Sequence, residues 1–315
     1  MGQLFFRLRG HYLSAPPVLR GMALMVVSTL CFTALHAGVR QLTAVGDLHP
    51  FEAAFFRNLF GLLVLAPWFL RLRRGALRTS KFKLHALRGA LQVVGMLAFF
   101  SALKLSPLAE VSALSFTAPL FASLGATLFL GEIMRLRRWS ALMLGFLGAL
   151  VIVRPGFETL SLGTLLVIFS SVVWSSAMLV IKVLSRTDSS ITITLYMALF
   201  LTPLSLLPAL FVWRAPSLAE LLLLAAIGAL ANLGHLAMAQ AFHEAEATVV
   251  LPFDFTRLIW ASVLGYLLFA ETPDPWTWVG GVIIFASTTY IAFRESRLKS
   301  SAGGGAPTPR PPAPG

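Results

Sequence analysis

SFTAPLFASLGATLFLGEIMRLRRW, residues 115–139, and DFTRLIWASVLGYLLFAETPDPWTW, residues 254–278, are the two stretches whose comparison decides the architecture. At an offset of 139 they share Phe116/Phe255, Thr117/Thr256, Ala122/Ala261, Ser123/Ser262, Leu128/Leu267, Glu132/Glu271 and Trp139/Trp278. The same register runs upstream without a gap to Ala102/Ala241, and Gly89/Gly228 and Gly95/Gly234 keep it. At an offset of 142, Gly21 meets Gly163, Ser28 meets Ser170, and Arg40 meets the similar Lys182. Apolar segments align by chance with ease. A Phe-Thr pair and a Glu…Trp spacing recurring at one offset mark an internal duplication instead.

The rest of the chain says what kind of element is duplicated. Its 315 residues are 57% hydrophobic and only 12% charged, with a mean hydropathy of +0.81. A soluble domain carries about 25% charged residues, and 25 Phe with 7 Trp exclude disorder for most of the length. A membrane span needs about 20 apolar residues. Apolar runs fall at 21–42, 50–70, 86–103, 108–130, 139–154, 162–184, 191–213, 217–241, 247–270 and 276–293. The expected fold is therefore all-α and integral to the membrane, with ten transmembrane helices.

Charge sets the orientation. With the N-terminus inside, the inner segments hold nineteen Lys and Arg, seven of them in Arg71–Arg88, against four outside: Arg40, Lys104, Arg154 and Arg214. Basic residues concentrate in cytoplasmic loops, so both termini are expected in the cytoplasm, with the chain in the inner (cytoplasmic) membrane. The net charge of +12 is explained in the same way, without nucleic acid. The start MGQLFFRLRG lacks the order of a cleaved signal peptide, so the first run reads as an uncleaved span. Cys31 is the single cysteine, and no Cys/His set has metal-ligand spacing. The expected divisions are a cytoplasmic segment 1–20, five-helix repeats at 21–156 and 157–294, and a disordered cytoplasmic tail at 295–315. Five is odd, so the second copy must enter the membrane inverted, the arrangement by which many secondary transporters alternate access to a midplane site.

Ionisable and polar groups inside spans are the candidate site residues. Asp254 and Arg257 stand at i, i+3 on one helix face. They are either a self-neutralising pair or the two poles that hold a zwitterionic ligand. Ser115 is the repeat partner of Asp254, and Pro119 frees the Ser115 carbonyl, so Pro119 and Pro252 are candidate hinges. Asn232 and His235 lie in the eighth span, and His235 is either a packed imidazole or a proton carrier. Gln92 in the third span and Trp174 in the sixth complete the candidate set, with Trp174 able to stack on a flat ligand. Arg57 and Glu52 in the second span and Glu110 in the fourth are open to structural or substrate use. The cavity is expected between the halves, lined by spans one, three, four, six, eight and nine.

The elements HPFEAAFFRN (49–58), LRGALQ (87–92), SFTAPLFASLGATLFLGE (115–132), GALVIVRPG (148–156) and PFDFTRLIWASVLGYLLFAE (252–271) resemble the EamA-type members of the drug/metabolite transporter superfamily. In look they are nearest the branch of S-adenosylmethionine and riboflavin importers, and the likeness covers about residues 20–295. The second half departs from the pattern at Ala270, opposite Gly131, and at Leu258, opposite Pro119. The resemblance implies a secondary transporter that moves a small polar or zwitterionic metabolite by alternating access. A small-molecule substrate and the lipid bilayer are the expected partners; a coupling proton is compatible, and neither cofactor nor metal is expected. A membrane-embedded enzyme or sensor is the alternative, but HExxH, paired-Asp and GxxxxGK[ST] motifs are all absent.

Overall fold

The computed structural model describes residues 16–69, 79–131, 136–154, 161–188, 190–245 and 250–303. Among these every regular element is helical. In chain order they are α1 (Pro17–Arg40, prolonged by a π-helical turn Gln41–Val45), α2 (Pro50–Phe69), α3 (Phe82–Leu105), α4 (Leu108–Ser115) and α5 (Ala118–Leu130). Then come α6 (Leu136–Val153), α7 (Leu162–Leu184), α8 (Ser190–Leu210), α9 (Leu218–Glu244), a 3₁₀ turn Leu251–Phe255, α10 (Thr256–Phe269) and α11 (Pro275–Gly303).

Local chemistry explains where these helices begin and end. Ser161 caps α7 through the Thr164 amide, and Ser217 with Glu220 forms a reciprocal capping box on α9. Ser106 precedes Pro107 and is extended, with φ −129° and ψ 155°, as a residue before proline prefers. That separates α3 from α4 with no loop between them. The expected tail boundary at 295 falls inside α11, because RESRLKSSA (294–302) holds no helix breaker before Gly303.

Among the described residues six helices are long and apolar enough to cross a membrane: Pro17–Val45, Phe82–Leu105, Leu108–Leu130, Leu162–Leu184, Thr192–Leu210 and Leu218–Glu244. Trp139–Val153 and Pro275–Ser287 are shorter apolar helices. Large side chains face outward, among them Phe129 at 79% exposure and Phe211 at 90%, while Ser28, Thr33, Ser170 and Ser171 are buried. This is the reverse of a water-soluble surface and suits a lipid-facing one.

Helix packing follows a pattern of exchange. Helix α1 packs on α9 as α3 packs on α7, α9 on α2 as α3 on α8, and α1 on α10 as α7 on α4 and α5; α2 meets α8, and α6 meets α11. Glycines at matching places allow the close approaches. A Cβ on Gly95 would stand 2.6 Å from the Trp174 ring, and one on Gly234 3.1 Å from Phe32. The fourth run turns at its Phe-Thr pair between α4 and α5, and the ninth passes at its own pair from the 3₁₀ turn into α10. Thr117 donates to the Leu114 carbonyl and Thr256 to that of Phe253, each at 2.7 Å. The rings of Phe116 and Phe255 stack with centroids 6.1 Å apart at 27°. Both segments then end in a left-handed cap, Gly131 at φ 68° and Ala270 at φ 53°.

Candidate functional site

Four helices line a cavity of about 100 Å³ whose mostly apolar wall carries a few polar side chains. Helix α2 supplies Arg57 and Asn58, α3 supplies Gln92, α8 supplies Thr202, and α9 supplies Asn232 and His235. Each is presented from a regular helix, so its direction follows from helix phase; Arg57 and Gly61, four apart, fall on one face of α2. The Asn232 amide donates to the Gly61 carbonyl at 3.0 Å. Arg57 donates to Asn58 Oδ1 at 2.9 Å and approaches Met96 Sδ at 3.5 Å. Asn58 in turn donates to Ser205 Oγ at 3.2 Å.

Beside the cavity lies an aromatic lattice. His235 packs on Phe32 at 4.9 Å, and His36, one helical turn further along α1, packs on Phe99 at 4.9 Å. Phe99 continues to Trp174 at 5.0 Å. Arg257 sits over Phe32 and Phe116, its guanidinium carbon 5.9 and 5.7 Å from their centroids, and pairs with Asp254 at 2.7 Å. His235, which lines the cavity and packs on Phe32, joins the cavity to the lattice. The Nδ1 of His36 and the Nε1 of Trp174 are buried without hydrogen-bond partners.

Gln92, Asn232 and His235, singled out in the sequence, line the cavity together. Asp254, Arg257 and Trp174 stand in or beside the lattice. The Ser115 hydroxyl turns back onto the Ser112 carbonyl at 2.7 Å. Pro119 occupies the first turn of α5, just past the break at Phe116–Thr117; Pro252 lies in the 3₁₀ turn, and its side chain is outside the described residues. Spans one, three, four, six, eight and nine were the expected lining. The third and eighth do line the cavity, and the second and seventh complete it. The sequence alone does not single out His36, Phe32, Asn58 or Thr202. The spacing of Phe32 and His36 at i, i+4 inside an apolar run is the signal that was available. Among the described residues, no group of three or more His, Cys, Asp or Glu is arranged to hold a metal.

Polar ties close the two ends of the bundle. At one end Arg40 pairs with Glu271 and donates to the Leu103 carbonyl at 2.6 Å and to that of Ser106. The second Glu271 oxygen accepts the Leu108 amide at 2.9 Å. At this end, too, Glu52 accepts the Arg214 amide at 2.6 Å. Burial holds the nearby His49 imidazole below its ordinary range and the Lys104 charge adds to this, against the opposing pull of Glu52. At the other end Asp188 accepts Thr79 Oγ1 at 2.6 Å and His85 Nε2 at 2.7 Å. A carboxylate only accepts, so Nε2 carries the proton. The bonds from Thr79 and His85 hold the Asp188 carboxyl below its ordinary range. Arg88 donates to the Ile193 carbonyl at 2.7 Å, tying α3 to α8.

Comparison with known proteins places this architecture. A riboflavin transporter from Vibrio cholerae is 33% identical over 282 residues, spanning 89% of this chain and 95% of its own. An S-adenosylmethionine uptake transporter from Rickettsia bellii is 30% identical, over 80% of this chain and 87% of its own. A pseudopaline exporter from Pseudomonas aeruginosa is 30% identical, over 84% and 93%. A solved crystal structure superposes with a TM-score of 0.55 over 87% of this chain and 98% of its own at 19% identity, a likeness of fold alone. These relatives are named as transporters rather than enzymes, and the EamA-like transporter family matches the sequence twice, over residues 19–154 and 161–293. The chain is a multi-pass membrane transporter and belongs to the EamA-like transporter family.

Proposed function

We propose that this transporter is a secondary carrier that moves a small polar or zwitterionic metabolite across the inner (cytoplasmic) membrane by alternating access. Ten spans form two inverted five-helix repeats, at 21–156 and 157–294, and both termini are cytoplasmic. The observation that carries this reading is the cavity itself. Its four walls are the second and third spans and their repeat counterparts, the seventh and eighth. A site built on exchangeable walls is what an inverted repeat needs in order to serve both sides of a membrane. The exchange of packing partners and the changes of helical geometry at Phe116–Thr117 and Phe255–Thr256 support the same arrangement.

In this reading Gln92, Asn232 and His235 contact the substrate directly. Ser115, Trp174, Asp254 and Arg257 bound the space it enters when the walls part, and Pro119 and Pro252 are the hinges. His235 is the residue assigned to a coupling proton. A ligand site spans about 300–1,000 Å³, so a cavity of about 100 Å³ corresponds to a constricted conformation. The names of the relatives put riboflavin and S-adenosylmethionine first among the solutes to try. Purified protein in proteoliposomes is expected to exchange one of them, or another small metabolite, without ATP, and Gln92→Ala and Asn232→Ala are expected to weaken that exchange at preserved folded yield. Requirement for ATP, or full exchange by both variants, would overturn the assignment.

A further inference from the structure

The central charges do not balance. Among the described residues Arg57 has no carboxylate partner: its polar contacts are Asn58 Oδ1 and the Met96 sulfur, and its Nε is buried without any. The carboxylates that might have served it are held elsewhere. Asp254 pairs with Arg257 at 2.7 Å. Glu52 accepts the Arg214 and His49 amides at 2.6 and 3.2 Å. Glu271 pairs with Arg40, and Glu110 accepts the Thr164 hydroxyl at 2.7 Å. Two guanidinium groups against one carboxylate leave the centre of the bundle one positive charge in excess.

An ionisable group at membrane depth without a charged partner is costly and is by default a candidate functional site. Arg57 lies seven residues into α2, about 10 Å along the axis, and it lines the cavity beside Gln92, Asn232 and His235. A water molecule claims about 30 Å³ of liquid volume, so the cavity of about 100 Å³ has room beside Arg57 for a group of a few heavy atoms. A planar carboxylate has that size, and it matches a guanidinium in shape as well as in charge. One carboxylate neutralises the excess; a phosphate dianion would reverse it.

We infer that Arg57 is the anchor for a carboxylate on the transported solute, and that the site selects solutes whose docked end is a monoanion over neutral analogues of the same shape. The inference rests on the transporter reading and narrows its substrate class. The carboxylate occupies the present cavity, with the Gln92 and Asn232 amides at its edge. The remainder of the solute extends toward Phe32 and Trp174 once the helices separate.

Matched acids and amides test it: benzoate with benzamide, nicotinate with nicotinamide, and indole-3-acetate with indole-3-acetamide. Each is added at the same millimolar concentration to the full-length protein in lipid nanodiscs, and the thermal unfolding midpoint is read. At least one acid is expected to raise the midpoint by several degrees while its amide does not. Arg57→Gln is expected to abolish that difference and to leave the ligand-free midpoint equal or higher, since it removes a stranded charge. Arg57→Lys is expected to keep a reduced shift, because the charge remains and the two-pronged geometry is lost. A lower ligand-free midpoint in Arg57→Gln would make the residue structural and overturn the inference. So would equal shifts from acids and amides, the same selectivity in Arg57→Gln, no shift from any acid, or acetate alone matching every acid. Flux separates this inference from the reading beneath it. Carboxylate binding without exchange in vesicles would sink the transporter assignment and leave the anion site standing. Exchange of neutral solutes untouched by Arg57→Gln would do the opposite.

Discussion

Ala270 is the residue at which sequence and backbone geometry meet most sharply. Its repeat partner Gly131 caps α5 at φ 68°, and Ala270 caps α10 at φ 53° with a methyl group in the left-handed region. An L-residue there loses about 1–2 kcal/mol relative to its ordinary conformations. Ala270→Gly relieves this but adds freedom to the unfolded chain, so a net gain of about 0.5–1 kcal/mol is expected, read as a higher unfolding midpoint of detergent-solubilised protein. A lower midpoint would mean that the methyl group packs favourably enough to outweigh the strain. Asp254 and Arg257 present the second residue-scale question, because their 2.7 Å contact allows either a neutralising pair or a ligand site. Leaving one charge unpaired costs about 2.5–3.5 kcal/mol at a helix centre. Asp254→Asn and Arg257→Gln are therefore each expected to lower folded yield, and the double variant to restore it. Transport by that double variant decides the role: recovery assigns the pair to burial alone, and continued failure assigns it to the substrate.

At the scale of elements, the repeat was visible because it fixes small residues and irregularities that recur at a constant offset. The Phe-Thr pair marks a change of helical geometry in both halves, and Gly95 and Gly234 admit Trp174 and Phe32. The cavity wall was less visible. Lining depends on which face of each helix turns inward, and hydrophobic periodicity is nearly silent where both lipid and core are apolar. Arg57 could be read as a candidate, yet nothing in its neighbourhood of Phe and Leu said that Gly61 would bring α9 close enough to place Asn232 beside it. His36 escaped notice for the same reason, since its partner Phe99 lies on a helix distant in sequence. The loop before α8 has a chemistry that pH can reach. Hydrogen bonds from Thr79 and His85 depress the Asp188 carboxyl. A depressed carboxyl contributes stability in full above its ordinary value of 3.8, and that contribution disappears as pH falls through the lower, folded value. The wild type should thus lose stability through and below the range near pH 4. Asp188→Asn should begin less stable at pH 7 and show a shallower loss over that range. Parallel slopes for the two proteins would show that other groups set the acid limit.

For the whole molecule, alternating access as proposed requires contacts that hold one end shut while the other is open. Arg40 at the end of α1, the Leu103 and Ser106 carbonyls at the end of α3, the Leu108 amide that opens α4, and Glu271 after α10 meet in a single knot. The side chains of Arg40 and Glu271 are only 13% and 16% exposed, so the pair is shielded enough to matter. Four spans from both halves are joined there, and the knot cannot persist if those halves move apart at this end. The repeat positions opposite it are Lys182 and Glu132; Glu132 lies outside the described residues. Removing one member of a buried pair costs about 3–5 kcal/mol, and each 1.4 kcal/mol is about tenfold in a population ratio. If the knot is what closes this end, Glu271→Gln should raise the open population tenfold or more. The measurement replaces the single native cysteine, Cys31→Ala, and places a reporter at a cavity-lining position, Thr202→Cys. Labelling by a membrane-impermeant thiol reagent is followed from each side of oriented vesicles. In the proposed topology the knot lies outside, so Glu271→Gln is expected to speed labelling of the reporter from the exterior by about tenfold and to slow it from the cytoplasm. Arg40→Gln should act in the same direction. An unchanged rate from both sides would make the knot a packing feature with no part in gating, and acceleration from the cytoplasmic side alone would reverse the proposed topology.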